Sequence, residues 1–98
     1  MAYDLKDRTK KFAVAIIRFI RTLPKNDEGY ILGKQLLRSG TSVGANYRSA
    51  CKGKSTADFI NKITIVEEEA DECCYWLELI IEAEIANKEL VEPILKEA

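Results

Sequence analysis

The sequence predicts an all-α fold, an antiparallel up-and-down bundle of four helices in which the fourth helix is short or truncated. Apolar residues recur every three or four positions in four segments, and short stretches with capping residues, Pro or Gly separate these segments. The 98 residues are 47% hydrophobic and 32% charged, which suits one globular domain over residues 1–98. Short loops favour antiparallel neighbours, and hence the bundle.

The first predicted helix covers about Leu5–Leu23. Asp4 is a suitable N-cap, and Pro24 disfavours helical angles in the residue before it. We therefore expect an amphipathic helix with one buried face. Its apolar stripe consists of Leu5, Phe12, Ile16, Phe19, Ile20 and Leu23.

The second predicted helix begins after Asn26 or Asp27 and extends to about Gly53. Its centre, residues 38–46, combines two Gly with β-branched residues, which lowers helix propensity and permits a kink or a short break. Glycines along this helix lack side chains, so another backbone can approach closely. These glycines are Gly33, Gly40 and Gly44.

A capping box at Ser55–Asp58 predicts a third helix that reaches about Glu84. Its apolar stripe is wider than one neighbouring helix requires, which indicates burial against another subunit. Asn87 can cap a fourth helix, in which Pro93 would distort the second turn. This helix is too short to cover the other three, so either the sequence ends early or a partner chain completes the fourth column.

The composition excludes several classes of site. Histidine is absent, which removes the usual general base and the commonest metal ligand. Cys51, Cys73 and Cys74 are odd in number, and we interpret them as reduced thiols that act as small buried hydrophobes. A three-thiolate metal site is the alternative, but it lacks a fourth ligand at the usual spacing. We expect no cofactor and no metal.

The acidic run at residues 67–72 has two interpretations. A ferritin-like metal site would need a Glu-x-x-His element, which the sequence lacks. Consecutive acids on a helix mostly face solvent or cations on a neighbouring helix. We therefore expect Arg38 or Arg48 to pair with an acid of the third helix, namely Glu68, Asp71 or Glu72.

Charge is unevenly distributed along the chain. Residues 1–62 carry thirteen Lys and Arg and five Asp and Glu, whereas residues 63–98 carry two and eleven. Either the basic part offers a surface to an anionic partner, or basic and acidic helices lie side by side and neutralise one another.

The second helix and the turn after it carry the candidate nucleic-acid-binding residues. Lys and Arg side chains there could bind phosphates, with Tyr47 as a stacking ring, and an oligomer would repeat the patch around its axis. We predict no catalytic residue, because no nucleophile–base pair is visible. The five candidates are Lys34, Arg38, Arg48, Lys52 and Lys54.

The string GKQLLRSGTSVGANYR at residues 33–48 resembles the bacterial family of 23S rRNA intervening-sequence proteins. The segments DFINK at 58–62, EEADE at 68–72 and YWLE at 75–78 agree with that family in order and spacing. The resemblance implies a small cytoplasmic four-helix bundle that assembles as a homopentamer around a central axis. The family's name records where its genes lie and establishes no activity.

The family is also similar to the accessory variability determinant protein of diversity-generating retroelements, a basic pentameric bundle that binds nucleic acid. We therefore predict a non-catalytic, homo-oligomeric helical bundle that binds RNA or a nucleoprotein partner. The alternative is a protein-assembly module without nucleic-acid binding. We expect a cytoplasmic protein with no membrane partner and no small-molecule substrate, because no apolar run approaches a bilayer span and the first residues lack a signal-peptide core.

Overall fold

A computed structural model describes residues 2–98, with side chains from Asp4 onward. Its helices are α1 (Ala2–Ile20), α2 (Asp27–Cys51), α3 (Thr56–Glu82) and α4 (Lys88–Glu97), and this range contains no strand. Helix α1 packs against α2 and α4, and α3 packs against the same two helices. The predicted all-α bundle with a short fourth helix is confirmed.

Helix α1 begins and ends earlier than the sequence predicts. Asp4 lies in the first turn of α1, and not at the N-cap. At the other end, the Thr22 amide donates to the carbonyl of Phe19 at 2.9 Å, and the Leu23 amide also donates three residues back, at 3.1 Å. These tighter bonds end the α-helix before the restricted position that precedes the proline.

Helix α2 is continuous, without the kink or break that its centre permits. Its N-cap is Asn26, whose Oδ1 accepts a hydrogen bond from the Gly29 amide at 2.9 Å. The hydroxyls of Ser39 and Thr41 donate to carbonyls four residues earlier, at 3.0 and 2.7 Å. These polar side chains therefore bond within the helix instead of interrupting it. The helix ends at Cys51, two residues before the predicted end.

The glycines of α2 let the backbone of this helix approach α1, as predicted. A Cβ atom at Gly40 would lie 2.9 Å from Cγ2 of Ile16, which is closer than packed carbon atoms lie. A Cβ atom at Gly44 would lie 3.4 Å from the carbonyl oxygen of Thr9. Gly40 lies against Ile16 and Gly44 lies against Thr9. Residue numbers therefore rise along α2 where they fall along α1, so the two helices are antiparallel.

Helix α3 follows the predicted N-cap, Ser55, whose Oγ accepts from the Asp58 amide at 3.1 Å. It ends at Glu82, two residues before the predicted end. Glu84 follows with a φ of 57°, in the left-handed region that glycine favours. Asn87 occupies the N-cap position of α4 without a side-chain cap, and α4 continues through Pro93.

The core occupies the part of the bundle that α4 covers. Helix α4 has 10 residues against 27 in α3, so at about 1.5 Å per residue it spans less than half of that helix. All fully buried side chains of α3 lie between residues 73 and 80, and residues 56–69 contribute none. The buried cluster consists of Phe12, Ile16, Phe19, Leu23, Leu36, Val43, Cys73, Leu77, Ile80 and Val91.

No helix within residues 2–98 has both the length and the hydropathy that a membrane span requires.

Candidate nucleic-acid interface

Two of the five candidate residues, Lys34 and Arg48, lie on one outer face of α2, and a third, Lys52, is the C-cap residue that follows the helix. All three are exposed, and a spacing of 14 residues brings Lys34 and Arg48 to within about 40° of one direction on an α-helix. Lys54 is exposed in the loop that follows. Among the side chains from residue 4 onward, no acid lies within ion-pair distance of these four cations.

The fifth candidate, Arg38, faces α3. Its Nη1 lies 3.1 Å from Oε2 of Glu69, and its Nη2 forms an ion pair with Oε1 of Glu72. The predicted pairing of Arg38 with an acid of α3 is thus confirmed for Glu72. Arg48 does not take part in it. The hydrogen bond from Arg38 lowers the pKa of the Glu72 carboxyl, and the same bond raises the pKa of Arg38.

Further hydrogen bonds hold the two acids in place. The Ser42 hydroxyl donates to Glu69 at 3.0 Å, and the Trp76 indole donates to Glu72 at 3.2 Å. The amide of Asn46 donates to the Ser42 hydroxyl at 2.9 Å. Sequence reasoning missed Glu69, although its position four residues before the buried Cys73 places it on the side of α3 that faces α2.

Arg48 lies beside a groove between α1 and α2, which we call the α1–α2 groove. The groove has a volume of about 560 Å³ and is open to solvent. Sequence reasoning missed its two lysines, although α1 and α2 are antiparallel neighbours, so the start of α1 must lie beside the end of α2. The groove is lined chiefly by Lys6, Lys10, Ala13, Thr41, Ala45 and Arg48.

Tyr47 is adjacent to Arg48 in the sequence and was predicted to be a ring for stacking on bases, but its side chain is not accessible for that role. It is 5% exposed, and burial raises the pKa of its hydroxyl. One residue of α-helix turns the side-chain direction by about 100°, so adjacent residues face different surroundings. Tyr47 therefore faces the interior, whereas Arg48 faces solvent.

Comparison with known proteins agrees with this architecture. The family model described as 23S rRNA-intervening sequence protein matches residues 2–98. This chain belongs to that family. The resemblance to the family of 23S rRNA intervening-sequence proteins is thereby confirmed.

One solved structure resembles this intervening-sequence protein closely. It is a protein of unknown function from the S23 ribosomal protein family of Bacteroides thetaiotaomicron, with 44% identity and a TM-score of 0.89. The match covers 95% of this chain and 86% of that chain. None of the curated proteins compared with the chain matches it.

The three cysteines of this intervening-sequence protein differ in exposure. Cys73 is buried, and its thiol lies 3.4 Å from the Ser39 hydroxyl, whereas Cys74 is half-buried. Burial raises the pKa of both thiols. Cys51 is exposed, so the expectation of three small buried hydrophobes is wrong for this residue. From residue 4 onward, no group of three potential ligands is placed to hold a metal ion.

Large apolar side chains remain exposed on the intervening-sequence protein. On α2, Tyr30 and Ile31 are 60% and 63% exposed. On the half of α3 that α4 does not cover, Phe59 and Ile60 are 43% and 57% exposed. Large apolar side chains exposed in this way are typical of proteins that associate with another chain.

Proposed function

We propose that this intervening-sequence protein is a non-catalytic, homo-oligomeric helical bundle that binds RNA through the basic side of α1 and α2. The observation that carries the proposal is the set of exposed cations at Lys34, Arg48, Lys52 and Lys54, which form no ion pair with any side chain from residue 4 onward. Arg38 is assigned to the contact with α3, because two carboxylates neutralise it. Exposed Lys and Arg side chains bind the phosphate groups of nucleic acids, and this binding releases counterions from the nucleic acid.

The distribution of charge between the helices supports this proposal. Residues 1–54, which hold α1 and α2, carry twelve Lys and Arg and four Asp and Glu, whereas residues 55–98 carry three and twelve. Only Arg38 and Arg8 form ion pairs between helices within the described side chains, so most of the positive charge is not consumed internally. A polyanion is therefore attracted to one side of the bundle and repelled from the other.

Self-association is the second part of the proposal. The exposed apolar residues of α2 and α3 support it, and the number five follows from the family resemblance alone. A relation to the accessory variability determinant protein belongs to the same proposal. In a ring, the basic side would recur in every protomer, and several weak contacts would combine into stronger binding.

A titration of purified protein into fluorescent structured RNA at about 50 and 200 mM salt tests RNA binding. A site with six or more phosphate contacts loses orders of magnitude in affinity between these two concentrations. We expect Arg48→Glu to weaken binding at least about fivefold. It should change the melting temperature no more than Arg18→Glu does, because both residues lie in the last turn of a helix and Arg48 forms no ion pair with the side chains from residue 4 onward. The same charge reversal at Arg18, exposed on the outer side of α1, is the matched control.

Absence of saturable binding at 50 mM salt would contradict RNA binding. It would favour the second candidate, a protein-assembly module, which the exposed Tyr30, Ile31 and Ile60 support independently. Equal losses of affinity from Arg48→Glu and Arg18→Glu would show that net charge, and not this side of the protein, determines binding.

A further inference from the structure

We propose that the α1–α2 groove holds the phosphodiester backbone of single-stranded RNA, with Lys6, Lys10 and Arg48 as the phosphate-binding side chains. This inference rests on the proposed function and assigns it a site, a ligand form and a mode of recognition. The two lysines belong to α1 and were not among the residues singled out in the sequence.

The three cations are available to a ligand. Lys6 and Lys10 lie one helical turn apart on α1, and Arg48 lies on the facing helix, so positive charge borders both sides of the groove. All three side chains are exposed. The acid in the lining, Asp7, forms an ion pair with Lys11 at 2.9 Å. The groove therefore has a net positive charge that this acid does not cancel.

The floor of the groove lets a strand approach the protein backbone. Ala13, Gly44 and Ala45 present a methyl group or no side chain at all, so no long side chain fills the space between the cations. The axes of packed helices lie about 8–10 Å apart, which limits the width of a groove between them. A single strand fits such a width, whereas a duplex would contact only the rims.

The lining indicates recognition of phosphates and not of bases. Stacking on bases requires an exposed aromatic ring, and the groove lining contains none within the described residues. The nearby Tyr47 is buried. The Thr41 hydroxyl already donates to the carbonyl of Leu37 at 2.7 Å. We therefore expect binding that depends strongly on salt and weakly on sequence.

The salt dependence of affinity tests the assignment. For single strands, each phosphate contact contributes about 0.7 to the slope of log K against log salt. We expect Lys6→Gln with Lys10→Gln to lower this slope by about 1.4, and Arg48→Gln to lower it by about 0.7. Arg18→Gln, on the outer side of α1, should leave it unchanged. We expect each variant to fold, because Gln has nearly the helix propensity of Lys and Arg, and circular dichroism is the check.

The probes are two fluorescein-labelled single strands of equal length, oligouridylate and a mixed-sequence RNA. Similar affinity for both supports backbone recognition, and a large preference for one overturns it. An unchanged slope in both groove variants, the double lysine variant and Arg48→Gln, with wild-type protein that still binds, overturns the groove assignment and leaves RNA binding intact. Binding of structured RNA, without binding of either single strand, would also overturn the groove assignment and leave RNA binding intact. Failure of every RNA to bind the wild-type protein contradicts the proposed function as well.

Discussion

Arg38 and Arg48 occupy the same helix and have different roles. Ten residues of α-helix leave the two side-chain directions about 80° apart, so Arg38 points toward the α3 side of α2 and Arg48 toward the α1 side. Arg38 reaches the acids of α3, whereas Arg48 lies beside α1 in the groove. Loss of Arg38 therefore affects the α2–α3 contact, and loss of Arg48 affects the solvent-facing surface.

The ion pair at Glu72 makes stability depend on pH. Arg38 lowers the pKa of Glu72 in the folded state, so the stabilisation is fully present above the ordinary glutamate pKa of 4.5 and is lost as the pH falls through the folded value. We expect Glu72→Gln to reduce the free energy of unfolding at pH 7 and to weaken its decline in acid. The loss should be about 1 kcal/mol or less, because Arg38 is half exposed to solvent.

Urea unfolding followed by circular dichroism at pH 7 and in acid measures this effect. Glu68→Gln, the same chemical change on an exposed residue of α3, is the control, because no ion pair of Glu68 is present among the side chains from residue 4 onward. Identical pH profiles for the two variants would show that the pair at Glu72 contributes nothing to stability.

At the scale of the helices, the end of α3 is unusual. The amides of Glu84 and Ile85 donate to the carbonyls of Ile81 and Ile80, each at 3.0 Å, in the pattern of a Schellman motif. The motif places its left-handed residue at Glu84, where most helices carry Gly. The geometry of the motif therefore determines this conformation against the intrinsic preference of the residue.

Glu84→Gly should stabilise the protein. Glycine adopts a φ of 57° without steric cost, and the gain should be about 0.5–1 kcal/mol after the larger entropy of the unfolded chain is subtracted. Thermal unfolding measures it as a rise of a few degrees in the melting temperature. The control, Glu82→Gly, lies in the last turn of α3 and should lower the melting temperature by its effect on helix propensity. A lower melting temperature for Glu84→Gly than for the wild-type protein would contradict this explanation of the Glu84 conformation.

At the scale of the whole molecule, the bundle keeps apolar surface that no described helix within residues 2–98 covers. Ile31, Ile60 and Tyr30 are each more than half exposed, and the half of α3 beyond α4 has no fully buried residue. Water contact with this surface is unfavourable, so association of copies would remove it from solvent.

We expect the melting temperature to rise with protein concentration, because mass action favours the folded oligomer. Analytical ultracentrifugation should give a mass of about 55 kDa for a pentamer of the 11.1 kDa chain. A mass that corresponds to a different number of subunits would correct the number five and would still support self-association. A species of 11.1 kDa with a melting temperature that is independent of concentration would contradict self-association.

Local interactions explain what could be predicted. The four helices, the caps at Asn26 and Ser55 and the small face of α2 depend on neighbours within a few residues, and each is confirmed. The predicted apolar stripes are confirmed in part, because Leu5, Phe59 and Ile60 are exposed. The end of α1 could not be placed to the residue, because tighter hydrogen bonds at Thr22 compete with the α-helical ones. The centre of α2 is continuous because packing of Gly40 on Ile16 and internal bonds of Thr41 compensate for poor propensity.

The spacing of apolar residues and the order of charges along the chain are sufficient to predict the fold class, the order of the helices and the segregation of charge. Which cations are neutralised follows from the tertiary structure. It brought Arg38 to Glu69 and Glu72, placed Arg48 beside Lys6 and Lys10 and buried Tyr47. The physical reason is that an ion pair or a groove depends on the rotation and register of two helices, which the packing of their apolar faces determines.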